Sequence, residues 1–220
     1  MAKNIGVLLS GCGVFDGTEI HEAVLTLLFL DRAGARTVCL APDKPQHHVI
    51  DHLSQQESDA RRNVLVESAR IARGEIRSLR TVVVSDLDAL IIPGGFGAAK
   101  NLSDFAFKGP EAEVDPDVVR LIRDMATARK PIGAICIAPA VLARALADRR
   151  PVVTVGNDVG TARAIEAMGG VHQERAVDQI CVDEANRLVT APAYMLGPGI
   201  KEVARGIEKL VAKVMEMVDV

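Results

Sequence analysis

An α/β fold, with a mostly parallel sheet covered by helices on both faces, is what this sequence predicts. Apolar runs too short for helices (residues 4–9, 37–41, 87–92 and the run after Pro131) alternate with longer segments of helical periodicity. The runs are nearly continuous in apolar residues, as strands buried on both faces must be. Their ends carry glycine and proline, as in Ser10-Gly11-Cys12-Gly13, Pro42 and Pro93-Gly94-Gly95-Phe96-Gly97. With 220 residues, no internal repeat and no linker, the expectation is one domain over 1–220.

In chain order, residues 4–9 read as a first strand that breaks at the glycine loop. That loop does not match a dinucleotide fingerprint, because Asp16 stands where GxGxxG needs its last glycine. A helix follows from Glu19 to Arg32, with Ile20, Val24, Leu27 and Leu28 on one face and Gly34 as its stop. Asp16 and Glu19 have the spacing of a capping box, which would account for Glu19. Glu22 has two readings: a surface acid complementing the helix dipole, or a site acid at the carboxyl end of a strand. Residues 37–41 form the second strand. The polar stretch 43–56 holds His47, His48 and His52 without matching ligands, so a solvated loop is expected and no metal.

Val64, Leu65, Ala69 and Ala72 mark a second helix, and residues 82–84 and 87–92 read as strands. Asp115-Pro116-Asp117 opens a helix whose face is Val118, Val119, Ile122, Met125 and Ala126. Residues 152–155 read as a strand, and a short helix then ends at Gly169-Gly170. Residues 177–182 and 187–190 look like a hairpin, and Ile200, Val203, Ile207, Leu210, Val211 and Val214 define a last helix.

The centre of the chain is Ile135-Cys136-Ile137-Ala138-Pro139, where a buried strand passes into a helix with almost no loop. A residue at such an apex is pushed outward, and the helix N-terminus favours thiolate over thiol. Cys136 is thus a candidate nucleophile, against the alternative of a buried structural cysteine.

Composition narrows the function classes. Aromatic residues are 3% of the chain, Trp is absent and the net charge is -3, so a nucleic-acid partner is not expected. The arginines between 61 and 80 alternate with acids and apolar residues, as on a solvated helix face. No apolar run is long enough to span a membrane. Four dispersed cysteines without CxxC suggest neither zinc nor disulfides, and make the cytoplasm the expected compartment.

Three strand-end loops, 11–22, 93–97 and 135–139, together resemble the ThiJ/PfpI superfamily. The segments SGCGVFDGTEIHEAV, LAPDKPQ, RNVLVESARIARGEI, ALIIPGGFGAAKNL, AICIAP and VTAPAYM resemble its enhancing-lycopene-biosynthesis (isoprenoid biosynthesis glyoxalase) branch over nearly the whole chain. The resemblance implies a flavodoxin-like three-layer sandwich with a nucleophile elbow. It also implies a cofactor-free, glutathione-independent glyoxalase, a lyase acting on small 2-oxoaldehydes, that forms homodimers. Carried over by position, Cys136 is the nucleophile, Glu22 its acid partner, and Gly94, Gly95 and Ile137 the oxyanion amides. Cys12 and Asn101 are expected to line the same cleft. Members with a Cys–His pair carry the histidine just after the strand that follows the elbow helix. Here that place reads Val155-Gly156-Asn157-Asp158. Two other functions stay open: an amidotransferase-like hydrolase using His172-Gln173-Glu174, and a peroxide sensor built on Cys136.

Overall fold

The computed structural model describes residues 2–218. Strands β1 (Asn4–Leu8), β2 (Arg36–Ala41), β3 (Ile76–Ser78), β4 (Ala89–Ile92), β5 (Ile132–Ile135), β8 (Cys181–Asp183) and β9 (Leu188–Ala191) form a seven-stranded sheet. Its order is β3-β2-β1-β4-β5-β9-β8, parallel except for the β8–β9 hairpin. The expected flavodoxin-like α/β sandwich is what the chain forms.

Period-two alternation divides the core between the two faces. Ile5, Val7, Leu9, Ile91 and Val189 face helices α1 (Ile20–Arg32) and α8 (Ile200–Val218). Leu8, Leu40, Leu90 and Ile92 face α5 (Pro116–Thr127) and α6 (Ala138–Ala145). Helix α5 starts where Asp115-Pro116 predicts: Asp115 accepts from the Asp117 N–H, and Pro116 fills a position that needs no donor. Shorter helices α2 (Val64–Ile71), α3 (Phe96–Lys100), α4 (Phe105–Lys108) and α7 (Val159–Ala167) complete the layers.

Four local expectations are corrected. Residues 82–84 are not a strand. The edge strand β3, too short to be read from periodicity, takes the place beside β2, and the chain must then cross back to β4. It does so through two 3₁₀ turns, Leu79–Thr81 and Val84–Asp86, with Val82 plugged into the core. Only Val152 and Val153 of 152–155 are strand (β6), pairing with β7 (Val171–His172) in a separate two-stranded sheet. The Thr154 N–H leaves the ladder and donates to Thr190 Oγ1 at 2.9 Å. The hairpin's first strand starts at Cys181, because a turn from Ala176 to Gln179 precedes it.

The capping box is also absent. Asp16 Oδ2 accepts from the Ile50 N–H at 2.7 Å, far from the start of α1, and Glu19 itself caps α1 by accepting from the Glu22 N–H at 2.7 Å. Asp16 anchors the histidine-bearing stretch instead. His52 accepts from the Phe15 N–H at 3.3 Å, so that stretch is a strap over the glycine loop held by bridges Pro45–Asn63 and Ile50–Glu57.

Asn101 joins these pieces. Its amide donates to the carbonyls of Ser10 and Asp16 at 2.8 and 2.9 Å, and its oxygen accepts from the His47 N–H at 2.9 Å. Asn101→Ala strands three backbone groups, two of them fully enclosed, at a cost of about 2–4 kcal/mol of stability. Urea unfolding checks this. A loss under 1 kcal/mol would mean that the loop is not held there.

Candidate active site

Cys136 is the residue between β5 and α6, and its φ of 61° is one that L-residues rarely adopt. Its N–H still donates to the Ala191 carbonyl at 2.9 Å, continuing the β5–β9 ladder, while the next residues turn into α6 with Pro139 in the first turn. A left-handed residue there lets strand pass into helix without a loop, at about 1–3 kcal/mol of strain. The side chain remains 8% exposed, at the floor of a cleft of about 410 Å³.

Glu22 reaches the thiol from the first turn of α1 and is completely buried. Its Oε2 accepts from the Gly94 N–H at 2.9 Å and its Oε1 from the Tyr194 N–H at 3.3 Å. A side-chain hydrogen bond joins it to Cys136. Gly94 is required by space: a Cβ there would lie 2.5 Å from Cys136 Cβ and 2.7 Å from Glu22 Oε2. Gly95 is required by backbone, with φ of 92° and no room beside the Glu19 nitrogen. The loops are bound to one another, the Glu19 N–H to the Gly94 carbonyl at 3.0 Å and the Phe96 N–H to the Val14 carbonyl at 2.8 Å.

The electrostatics correct one expectation. Helix-end stabilisation predicts a lowered thiol pKa, yet burial pushes Cys136 well above the ordinary thiol range, and the Glu22 charge adds to it. Backbone amides of Gly95 and Ile137 act on the sulfur in the opposite direction. Burial, followed by repulsion from Glu19, pushes Glu22 up to about 8. Neither group ionises cheaply while the other is charged, so the pair titrates as a unit that retains one proton after its first ionisation.

The expected site residues divide. Cys136, Glu22, Gly95 and Ile137 come together. Gly94 is present, but its N–H is committed to Glu22 and is not free for an oxyanion. Cys12 lies outside the cleft, in the field of Glu67, Arg70 and Arg62, with burial raising its thiol. Asn101 is also outside, enclosed as the staple described above. Unanticipated lining residues are Glu19, Phe96, Asp158, Thr161, Tyr194 and Met195. Tyr194 and Met195 lie in the segment VTAPAYM, singled out by resemblance but given no role. Tyr194 also meets His21, its hydroxyl 2.8 Å from Nδ1. His172 sits on β7 away from the lining residues, and among the described residues no His/Cys/Asp/Glu cluster could hold a metal.

A strained cysteine at a strand–helix elbow, faced by a buried glutamate, is a recognisable constellation, and a family model matches residues 12–196. The chain belongs to the DJ-1/PfpI family. Among relatives within it, the human protein "Glutamine amidotransferase-like class 1 domain-containing protein 3, mitochondrial" is 46% identical, covering 98% of this chain and 84% of its own length. "ES1 protein, mitochondrial" of Danio rerio is 37% identical, over 87% of this chain and 77% of its own. The crystal structure of an isoprenoid biosynthesis protein with amidotransferase-like domain from Ehrlichia chaffeensis superposes with a TM-score of 0.90 at 40% identity. That match covers 97% of this chain and 99% of the other. This DJ-1/PfpI chain has, among its described residues, no helix long and apolar enough to cross a membrane.

The raised Glu22 has a signed consequence. Its folded pKa of about 8 lies above the ordinary 4.5, so the native state holds a proton that the unfolded chain releases between those values. Stability from this group is therefore complete below about pH 4.5 and falls as pH rises toward 8. Relative to Glu22→Gln, wild type should lose stability steadily from pH 5 to pH 8, read as the difference in urea unfolding free energy. A difference independent of pH would show that Glu22 is ionised throughout. Because the Glu22 charge pushes the Cys136 thiol further up, Cys136 should alkylate faster in Glu22→Gln than in wild type at a pH above 8.

Proposed function

We propose that this protein is a glutathione-independent glyoxalase, converting 2-oxoaldehydes to 2-hydroxy acids at Cys136. The adjacency of Cys136 and Glu22, both packed against Gly94, supports this reading, because the reaction needs a sulfur nucleophile and one mobile proton at adjacent atoms. The Cys136 sulfur, as thiolate, attacks the aldehyde carbon. A C–S bond forms, and the former carbonyl oxygen takes the pair's proton to complete the hemithioacetal. Glu22, now a carboxylate, removes the proton from that carbon to give an enediolate and returns it to the neighbouring carbon, while the hydroxyl proton passes to the neighbouring oxygen. The product is a thioester of the 2-hydroxy acid. Water hydrolyses it, releasing the acid and restoring the thiol. The Gly95 and Ile137 amides, which act on the sulfur at rest, are the donors nearest the developing oxyanion.

An amidotransferase-like hydrolysis, which the names of two relatives suggest, would need an acid for the leaving amine. No histidine lines the cleft, and His172 lies on β7, outside its lining. The four unpaired cysteines fit a reducing compartment such as the cytoplasm, and those curated relatives are named mitochondrial.

Methylglyoxal loss without glutathione, followed by absorbance and by lactate formation, tests the reading. Cys136→Ser should abolish turnover and Glu22→Gln should lower it by about 10²–10⁴. Wild type that alkylates at Cys136 yet turns over nothing would defeat the glyoxalase reading and leave cysteine oxidation as the chemistry of the site.

Self-association is proposed through α1. Ile20, Val24 and Leu28 are 43%, 50% and 40% exposed, one stripe on a helix whose other faces are buried. Antiparallel pairing of two copies about a two-fold axis sets Val24 against Leu28, so the apolar stripe faces itself. Light scattering should give twice the monomer mass for wild type at micromolar concentration and the monomer mass for Val24→Asp. A monomeric wild type would sink the proposal.

A further inference from the structure

The lining of the Cys136 cleft has one sign of charge. Of its residues only Glu19 and Asp158 are ionisable carboxylates, and lysine, arginine and histidine are absent from it. The nearest cations are engaged elsewhere. Lys100 Nζ lies over the Phe96 ring, 5.3 Å from its centroid, and donates to the Phe15 carbonyl at 2.9 Å. His21 is held by the Tyr194 hydroxyl.

Asp158 is decisive because of where it stands. It is the N-cap of α7, a nine-residue helix, and its Oδ1 accepts from the Thr161 N–H at 2.7 Å. A helix N-terminus opening on a cleft ordinarily attracts an anionic ligand. Here the protein's own carboxylate occupies that place, and its hydrogen bonds to Thr161 hold it below the usual carboxylate range. The amides at the α6 end are turned to the sulfur. Beneath them the Cys136–Glu22 pair carries a negative charge once it ionises, so an anion entering the cleft meets no cationic side chain in its lining.

We infer that Asp158 is a specificity-determining residue of this cleft, which, with Glu19, admits uncharged or cationic electrophiles to Cys136 and rejects carboxylates and phosphates. The inference rests on Cys136 as the reacting group and names the charge class of its substrate. A 2-oxoaldehyde bearing a carboxylate or phosphate is excluded, whereas one bearing an amine is accepted.

Alkylation reads this without requiring turnover. Iodoacetamide, iodoacetate and 2-bromoethylammonium each form one S–CH2 bond as halide leaves, and differ chiefly in charge. Rates at Cys136, located by peptide mass and divided by those of 2-mercaptoethanol, should favour the neutral and cationic reagents over iodoacetate by at least about tenfold at low salt. Asp158→Asn, which keeps an N-cap side chain, should shrink that preference about threefold or more. Raising salt on wild type should shrink it too, which serves if the variant does not fold. A normalised preference near one, or one unmoved by both the variant and salt, overturns the inference.

Turnover of phenylglyoxal and 4-carboxyphenylglyoxal separates the two claims. Consumption of both at equal rates would overturn charge selection while the glyoxalase reading stands. Consumption of neither, with the alkylation preference intact, would overturn the glyoxalase reading and support charge selection.

Discussion

A buried carboxyl and a buried thiol share one site, and most of the fold around them is arranged to make that tolerable. Glu22 comes from the helix after β1, Cys136 from the end of β5, and Gly94 from the end of β4 between them. Each group costs several kcal/mol to bury as an isolated charge. Held against each other with one proton between them, they carry a single negative charge when ionised, and amides of Gly94, Tyr194, Gly95 and Ile137 face it. The positive φ at Cys136 and the missing side chain at Gly94 are the steric conditions of the same contact. Strain, burial and glycine at these positions thus have one cause.

Topology makes the contact possible. Strand order runs from β1 outward to β2 and β3 on one side and to β4 and β5 on the other, so successive crossovers leave β1 in opposite directions. The crevice opened at the carboxyl ends there is where open α/β sheets hold their ligands. The long strap over residues 43–63 does not enter that crevice. It covers the glycine loop from outside, through Asp16, His52 and Asn101, and so fixes the backbone that carries Val14 to the cleft wall.

What could be read from the chain alone follows the range of the interactions. Strands β1, β2, β4 and β5 are continuous apolar runs because both their faces are covered, and Asp115-Pro116 marks a helix start by purely local chemistry. Cys136 and Glu22 were legible as candidates, the first from a strand–helix junction without a loop and the second from resemblance. The hidden features are those set by distant partners. The three-residue edge strand β3 lacks a period to detect, and Val82 is apolar because it plugs the core. Asp16 and Glu19 fit a capping box by spacing, but Ile50, 34 residues on, claims the Asp16 carboxylate. Asn101 is expected from the chain to line the cleft, but its three backbone partners lie on two other loops, which enclose it. The direction of the Cys136 shift was misread because a helix end is visible in sequence and the depth of burial is not.

The inventory of mobile protons is the physical argument behind the proposed chemistry. Breaking an amide requires a proton for a departing nitrogen, and cysteine hydrolases supply it from a histidine that took the thiol proton first. In this chain no histidine lines the cleft; Asp158 does, and hydrogen bonds to Thr161 hold it as a carboxylate with no proton to lend. That leaves the single proton of the Cys136–Glu22 pair. Isomerising a hemithioacetal moves one proton between two neighbouring carbons and expels no amine, so one carboxyl in contact with the sulfur is sufficient. The raised Glu22 suits that step, because a carboxylate that prefers its proton is a stronger base than an exposed one. On this argument the proposed rearrangement at the sulfur asks less of the residues lining the cleft than cutting an amide would.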